Sequence, residues 1–186
     1  LRSYVPKIAR RTVERLGKGY FYGKADLAHD NYLFFPLHYY AESQLTVRAR
    51  PYANQEFLIE YIARSLPQGY KLYVKEHTTD LGNRGKEFYR DLLLYPNVKI
   101  IDPMCSGIEL IRNAKLVFTV SGTPGFEAIL LNKPVAVFGE CYYSFFPGVK
   151  IIEKFDQIPE IIIWGSKAFH TDEMLIERFA SSYVRS

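Results

Sequence analysis

The chain of 186 residues is long enough for one well-buried domain and too short for two large ones. Hydrophobic residues make up 48% and charged residues 24%, a globular balance that excludes disorder over most of the length. The net charge is a modest +4, the two cysteines lack Cys-x-x-Cys spacing, and no apolar run is long enough for a bilayer. Nucleic-acid binding, a zinc site, a disulfide framework and a membrane span are therefore left without support.

Much of the positive charge lies at the start, where Arg2, Lys7, Arg10, Arg11, Arg15, Lys18 and Lys24 face only Glu14 and Asp26. Residues 1–30 read as a basic linker helix with a solvated face; peripheral contact with an acidic membrane is the alternative use of such a face. Unpaired cysteines and the lack of a signal-peptide core point to the cytoplasm, or to the inner face of the cell membrane if that alternative holds. The chain opens on Leu1 rather than Met, so a fragment of a larger protein is expected.

The next stretch, "NYLFFPLHYY", predicts an apolar strand running out to His38. "NQEFLIEYIARSLP" predicts a helix capped by Asn54, with Phe57, Leu58, Tyr61, Ile62 and Leu66 on one face. "YKLYVKEH" is a second strand, ending in Lys75, Glu76 and His77, with Asp80 as a turn residue beyond it. "GKEFYRDLLLYP" repeats the helical pattern with Phe88, Tyr89, Leu92 and Leu93, and "NVKIID" is a third strand running to a turn or cap residue, Asp102. Ser106 and Glu109 form a capping-box pattern for a short helix carrying Ile108 and Ile111.

"KLVFTVSG" is a fourth strand, and it stops abruptly at Ser121, Gly122, Thr123, Pro124 and Gly125. Thr123 suits a cap, Pro124 a first helical position, and Gly125 a close approach by another group, so a helix follows with Phe126, Ile129 and Leu130 inward. "PVAVFGE" runs to Glu140 and "GVKII" is a sixth strand. The tail "TDEMLIERFASSYV" is an amphipathic helix with Leu175, Ile176, Phe179 and Tyr183 on one side, packing on the domain or on a neighbour.

Alternating strands and helices, with the strands as continuous apolar runs, predict a Rossmann-like α/β domain: a parallel sheet with helices on both faces. Its expected extent is residues 31–165, followed by the tail helix in 166–186. Ligands of such sheets sit outside the carboxyl ends of the strands. The polar exceptions gather there: His38, then Lys75, Glu76 and His77, then Ser121, Gly122 and Thr123, then Glu140, Tyr142 and Tyr143. Cations, hydroxyls and helix N–H groups on one edge suit a phosphorylated ligand. Glu127, one turn into its helix, suits ribose hydroxyls. No hydrolase triad, His-Glu-x-x-His or Gly-x-Gly-x-x-Gly is present, and the glycine-free first turn "PLHYYAE" argues against NAD.

The ordered blocks "FPLHYYAES", "LPQGYKLYVKEHTTDLG", "NVKIIDP" and "ELIRNAKLVFTVSGTPGFEAILLNKPVAVFGECYY" resemble the capsule polysaccharide biosynthesis family, which includes bacterial Kdo transferases. The resemblance covers about residues 31 to 152 and implies the C-terminal, nucleotide-sugar-binding half of a GT-B glycosyltransferase. It implies a CMP-sugar donor held by Lys75, Ser121, Gly122, Thr123, Gly125 and Glu127, with His77 as the catalytic residue at the departing phosphate. His38, Glu140 and Tyr142 are candidate donor-sugar contacts. Two departures stand out: Thr78 replaces the family's usual proline, and Gly122 replaces a hydroxyl residue.

No metal and no cofactor beyond the nucleotide sugar is implied. The expected partners are a glycan or lipid-linked acceptor and an N-terminal acceptor domain, without which the isolated chain is expected to transfer nothing. A UDP-sugar transferase or a UDP-GlcNAc 2-epimerase-like site is the second enzymatic reading. A non-catalytic scaffold that keeps the fold is the third, and the aromatic surplus around Tyr142, Tyr143, Phe145 and Phe146 suits it.

Overall fold

The computed structural model describes residues 19–38, 52, 54–81, 83–167 and 171–184. Six parallel strands form one sheet: β1 (Asn31–Pro36), β2 (Tyr70–Lys75), β3 (Val98–Ile101), β4 (Val117–Thr119), β5 (Val135–Val137) and β6 (Val149–Ile151). Their spatial order is β3-β2-β1-β4-β5-β6, so the chain winds outward from β1 in one direction and then returns to β1's other side. β1 and β2 pair along their whole length, from Asn31 opposite Tyr70 to Pro36 opposite Lys75.

Side chains along β1 alternate between the two faces. Leu33, Phe35 and Leu37 join the core beneath α1 (Gln55–Ser65), α2 (Lys86–Leu92) and α5 (Ile158–Ser166). Tyr32 and Phe34 join the other core, beneath α3 (Gly107–Asn113), α4 (Thr123–Leu130) and α6 (Glu173–Val184). Both faces of the sheet are thus covered, as the apolar strands predict. Phe118 is fully buried in the first core and stacks 6.1 Å from Phe138. Phe118→Ala is expected to destabilise the chain by about 3–5 kcal/mol in denaturant unfolding, a loss below about 1 kcal/mol being incompatible with this packing.

Several helix faces are rotated from their predicted positions. Asn54 caps α1 by accepting the Phe57 N–H at 3.1 Å, but the buried stripe is Leu58, Ile59, Ile62 and Ala63. Phe57 is instead exposed and, with Tyr61, packs on Phe155. Leu93, Ile108 and Leu130 are likewise exposed, and Leu110 with Ile111 makes the buried pair of α3. In each case a helix of eleven residues or fewer buries a narrow stripe, and neighbouring apolar residues at its margin stay out.

The basic segment lies outside the described residues up to position 18. From Gly19 onward it is not the expected helix: Gly19–Phe21 make one 3-10 turn, and Gly23 bridges Ile101 in parallel, its N–H donating to Ile100 O at 2.7 Å. α5 lies beyond the elements that periodicity predicts. In α6, Phe179 packs 5.4 Å from Phe126 and 5.0 Å from Phe146, so the tail helix lies on α4 and the loop after β5. The side chain of Tyr183 lies outside the described residues.

Candidate functional site

Strand order reverses between β1 and β4, and a crevice opens outside the carboxyl ends of the strands at that point. It encloses about 430 Å³ and receives His38 from beyond β1, Lys75 and His77 from β2, and Gly122, Thr123 and Glu127 from the start of α4. Gly107 and Ile111 of α3 close one side. A wider depression of about 690 Å³ lies beyond β3, between Tyr22–Leu27 and the start of α3. It holds none of the predicted ligand residues, so the smaller, more polar crevice is the candidate site.

Two charges in the crevice carry the mark of an incomplete environment. Burial pulls the Lys75 ammonium below its ordinary range, opposed by Cys105 and Asp102 nearby. Burial likewise pushes the Glu127 carboxyl up. Neither makes an ion pair among the described residues. An anion beside Lys75 and hydroxyl donors beside Glu127 would offset both losses of hydration.

Because the folded Glu127 binds its proton more tightly than the unfolded one, stability contributed at this position falls as pH rises through the window just above the ordinary carboxylate range. Glu127→Gln removes that charge. It is expected to raise the melting temperature of the unliganded chain at neutral pH. Thermal melts from mildly acidic to neutral pH check this effect, which should shrink at the acidic end.

The strand-to-helix turn is more tightly committed than its sequence implies. Gly122, not Thr123, caps α4, and Pro124 falls in the first helical turn. The Val120 N–H is accepted by His38 Nε2 at 3.2 Å, the Gly122 N–H by Thr119 Oγ1 at 3.3 Å, and the Gly125 N–H by Gly122 O at 3.2 Å. The turn is therefore not an open nest of amides. Thr123 is exposed at its mouth, and its N–H has no acceptor among the described residues.

The loop carrying His77 is anchored from behind. Glu76, placed by the sequence on the ligand edge with its neighbours, turns its carboxylate inward and accepts from Tyr89 Oη at 2.8 Å and Tyr22 Oη at 3.3 Å. Arg84 lies 3.1 Å from Asp80 Oδ2 and 3.9 Å from Glu76 Oε1, and donates to His38 O at 3.0 Å. Asp80 is fully buried and also accepts from Asn83 Nδ2 at 2.8 Å, as a turn residue should. Asp102 accepts the Met104 N–H at 2.9 Å, again within a turn. Arg84 thus ties the loop after β2 to the segment after β1, and His77 is left exposed on the crevice side.

Residues 4–158 match the family described as capsule polysaccharide biosynthesis protein. The chain belongs to that family. LipA of Neisseria meningitidis serogroup B, a capsule polysaccharide modification protein, is 25% identical over 130 residues, 70% of this chain and 18% of the relative. KpsS of Escherichia coli, a capsule polysaccharide export protein, is 30% identical over 103 residues, 51% of this chain and 25% of the relative.

Among solved structures, the β-Kdo 2,7 transferase of Thermosulfurimonas dismutans KpsC aligns with a TM-score of 0.54 at 17% identity, covering 89% of this chain and 54% of that one. UDP-GlcNAc 2-epimerase from Methanocaldococcus jannaschii aligns with a TM-score of 0.55 at 15% identity, covering 97% of this chain and 53% of that one. The chain spans a quarter or less of these curated relatives and about half of these solved chains. The structural likeness shows the fold, one Rossmann-like half of a GT-B architecture.

The capsule-family blocks meet in the crevice only in part. The Lys75–His77 block and the Gly122–Glu127 block face each other across it. Ser121 and Gly125 are buried behind its wall, Ser121 at 5% exposure. Glu140 is exposed on the loop after β5, and Tyr142 is 44% exposed beside the Phe126 ring; neither lines the crevice. The cause is topological: β4 stands between β1 and β5, so the end of β5 is two strand spacings, about 10 Å, from β1. Sequence reasoning passed over Thr119, Arg84 and the structural use of Tyr143, whose Oη donates to Gly122 O at 2.6 Å. Nothing local in the sequence marks their joint use, because Thr119 and Arg84 meet His38 from 81 and 46 residues away and Tyr143 meets Gly122 from 21. Of the block "FPLHYYAES", residues 39–43 lie outside the described residues.

Proposed function

We propose that the chain is the donor-binding half of a glycosyltransferase of capsular or surface polysaccharide synthesis, taking a CMP-activated sugar. The observation that carries this reading is the convergence of Lys75, His77, Thr123 and Glu127 on one crevice at the β1/β4 switch point. Lys75 and the start of α4 hold the donor phosphate, Thr123 contributing its N–H and hydroxyl. His77 stabilises or protonates the phosphate as it leaves the sugar, and Glu127 accepts from ribose hydroxyls. Ser121 acts from behind the wall, on the shape of the turn. The acceptor and its general base belong to a second domain across the cleft, so this chain alone binds donor and transfers nothing. Work at the inner face of the cell membrane fits a capsule-family enzyme whose acceptor is a glycan or a lipid-linked glycan.

A second reading takes UDP in place of CMP. It is favoured by Gly122, which leaves the turn one hydroxyl short of the family pattern, and by the equal fold likeness to the M. jannaschii UDP-GlcNAc 2-epimerase, solved with UDP-GlcNAc and UDP at a TM-score of 0.54. Calorimetric titration with CMP and then UDP decides between them, repeated on Thr123→Val and His77→Ala. CMP binding weakened by both substitutions is the expected result, and a preference for UDP moves the assignment to the second reading. Binding of neither nucleotide, by the chain and by the full-length protein alike, overturns the donor site and leaves a scaffold role.

A further inference from the structure

Gly122 and Gly125 are the two glycines of the turn, and backbone conformation explains neither. Gly122 has φ −87° and ψ 172°, extended backbone open to any residue, and Gly125 lies within α4. Among the described residues the positive-φ glycine is Gly69, far from this site. Contact explains both. A Cβ on Gly122 would run into the His38 ring at Cε1, with Nδ1 only 3.1 Å away, and a Cβ on Gly125 would run into Tyr143 at Oη, with Cζ 2.7 Å away.

The same two rings hydrogen-bond the turn from either side of Ser121. His38 Nε2 accepts the Val120 N–H and lies 2.9 Å from Thr119 Oγ1, an arrangement that puts the ring proton on Nδ1 and lets the Thr119 hydroxyl donate as well. Tyr143 Oη donates to Gly122 O. Burial pushes the Tyr143 phenol up, which keeps it a donor at every ordinary pH. Both rings are themselves fixed. His38 is 6% exposed; its N–H is accepted by Gln55 Oε1 at 2.7 Å, and its C=O accepts from Gln55 Nε2 and Arg84. Tyr143 is fully buried in the second core.

We propose that His38 and Tyr143 are positioning residues that clamp the donor turn, and that glycine stands at 122 and 125 because the two rings fill the space a side chain would need. This use of the clamp rests on the donor-site reading; its existence rests on the turn's own geometry. The missing hydroxyl at 122 is then no decay of the site. A buried imidazole from the end of β1 has taken the side chain's volume, and it fixes the turn from 82 residues away in sequence. The clamp commits the Val120 amide and the Gly122 carbonyl, and leaves the Thr123 N–H and hydroxyl at the mouth for an anion.

Amide hydrogen exchange on the unliganded chain tests the clamp, and titration with CMP and UDP tests its use. His38→Leu is expected to speed exchange of the Val120 amide about five- to tenfold, with β2 and β3 unchanged. His38→Gln should restore protection, because the glutamine Oε1 can accept the same N–H. Gly122→Ala should lower the melting temperature clearly beside His38 and little in a His38→Ala background, a non-additivity that a merely tolerant turn would not show. Unchanged exchange in His38→Leu, or additive effects of the Gly122 and His38 substitutions, overturns the clamp. Faster exchange with at least tenfold weaker nucleotide binding supports the positioning role, and faster exchange with unaltered binding overturns it. If the unmodified chain binds neither nucleotide, the donor reading falls and the exchange and coupling results still decide the clamp.

Discussion

Replacing His77 by alanine is expected to lower sugar transfer by the full-length protein about a hundredfold or more, while the melting temperature of this chain stays within about two degrees. The two effects separate because of where the residue sits. His77 is exposed at the crevice, one residue beyond a buried Glu76 whose carboxylate is held by Tyr22 and Tyr89. The backbone of the loop is fixed independently of the imidazole: the Asp80 N–H is accepted by His77 O at 2.9 Å, and Arg84 bridges the loop to His38 O. Removing the ring should therefore leave the loop standing and take away the group to which the proposed role at the leaving phosphate belongs. His77→Gln sharpens the assignment, since it keeps a hydrogen-bond donor and loses the titratable proton. Activity retained by Gln but not Ala assigns charge-neutral hydrogen bonding, and loss in both assigns proton transfer. Equal activity of His77→Ala and the unmodified protein sinks the role altogether.

How much of this is legible in the sequence depends on whether the cause is local. The inner strands are, because "YLFF", "LYV" and "VFTV" are buried on both faces and need no register information to be recognised, whereas the edge strand β6 is largely exposed. Asn54 and Ser106 are legible as caps, since each bonds an amide three residues on, Phe57 N and Glu109 N. The exact buried stripe of each helix is not. On α1 it is Ile59 that faces inward, while Phe57 packs at the margin on Phe155, almost a hundred residues later in the chain. α5 escaped for a related reason: "IPEIIIW" is too uniformly apolar to show a period, and only its packing on Leu116 and the first core distinguishes it from another strand.

The site divides in the same way. Lys75, His77, Thr123 and Glu127 are legible because a parallel sheet delivers strand ends and helix starts to one edge whatever the details. Glu140 and Tyr142 look equivalent in that scheme and are not, because the sequence does not state that β4 inserts between β1 and β5. Tyr142 and Tyr143 are adjacent and chemically alike, yet one is an exposed ring beside Phe126 and the other is the buried anchor of the turn. Gly125 is the instructive middle case. The sequence says that something approaches its backbone, and the structure names the group as Tyr143 Oη rather than a ligand.

Lys75→Met should weaken nucleotide binding about ten- to a hundredfold and, in the same experiment, raise the melting temperature of the unliganded chain. The pairing of opposite effects follows from the depressed Lys75 ammonium, whose main cause is burial. In the window between its depressed value and the ordinary lysine range, the unfolded chain holds more protons at this position than the folded one, so stability rises with pH there. Below that window the buried charge opposes folding in full, and methionine, of similar length and without charge, removes the opposition. The gain in melting temperature should therefore be largest near neutral pH and vanish once pH passes the ordinary lysine range. An anion in the crevice acts in the reverse sense, returning the ammonium toward its ordinary range, so nucleotide binding at alkaline pH should be accompanied by proton uptake. Titrations in buffers of different ionisation enthalpy measure that uptake directly, and it should be absent in Lys75→Met. A variant that loses both stability and binding would mean that Lys75 holds the fold rather than the phosphate, and the donor site would then have to be sought away from β2.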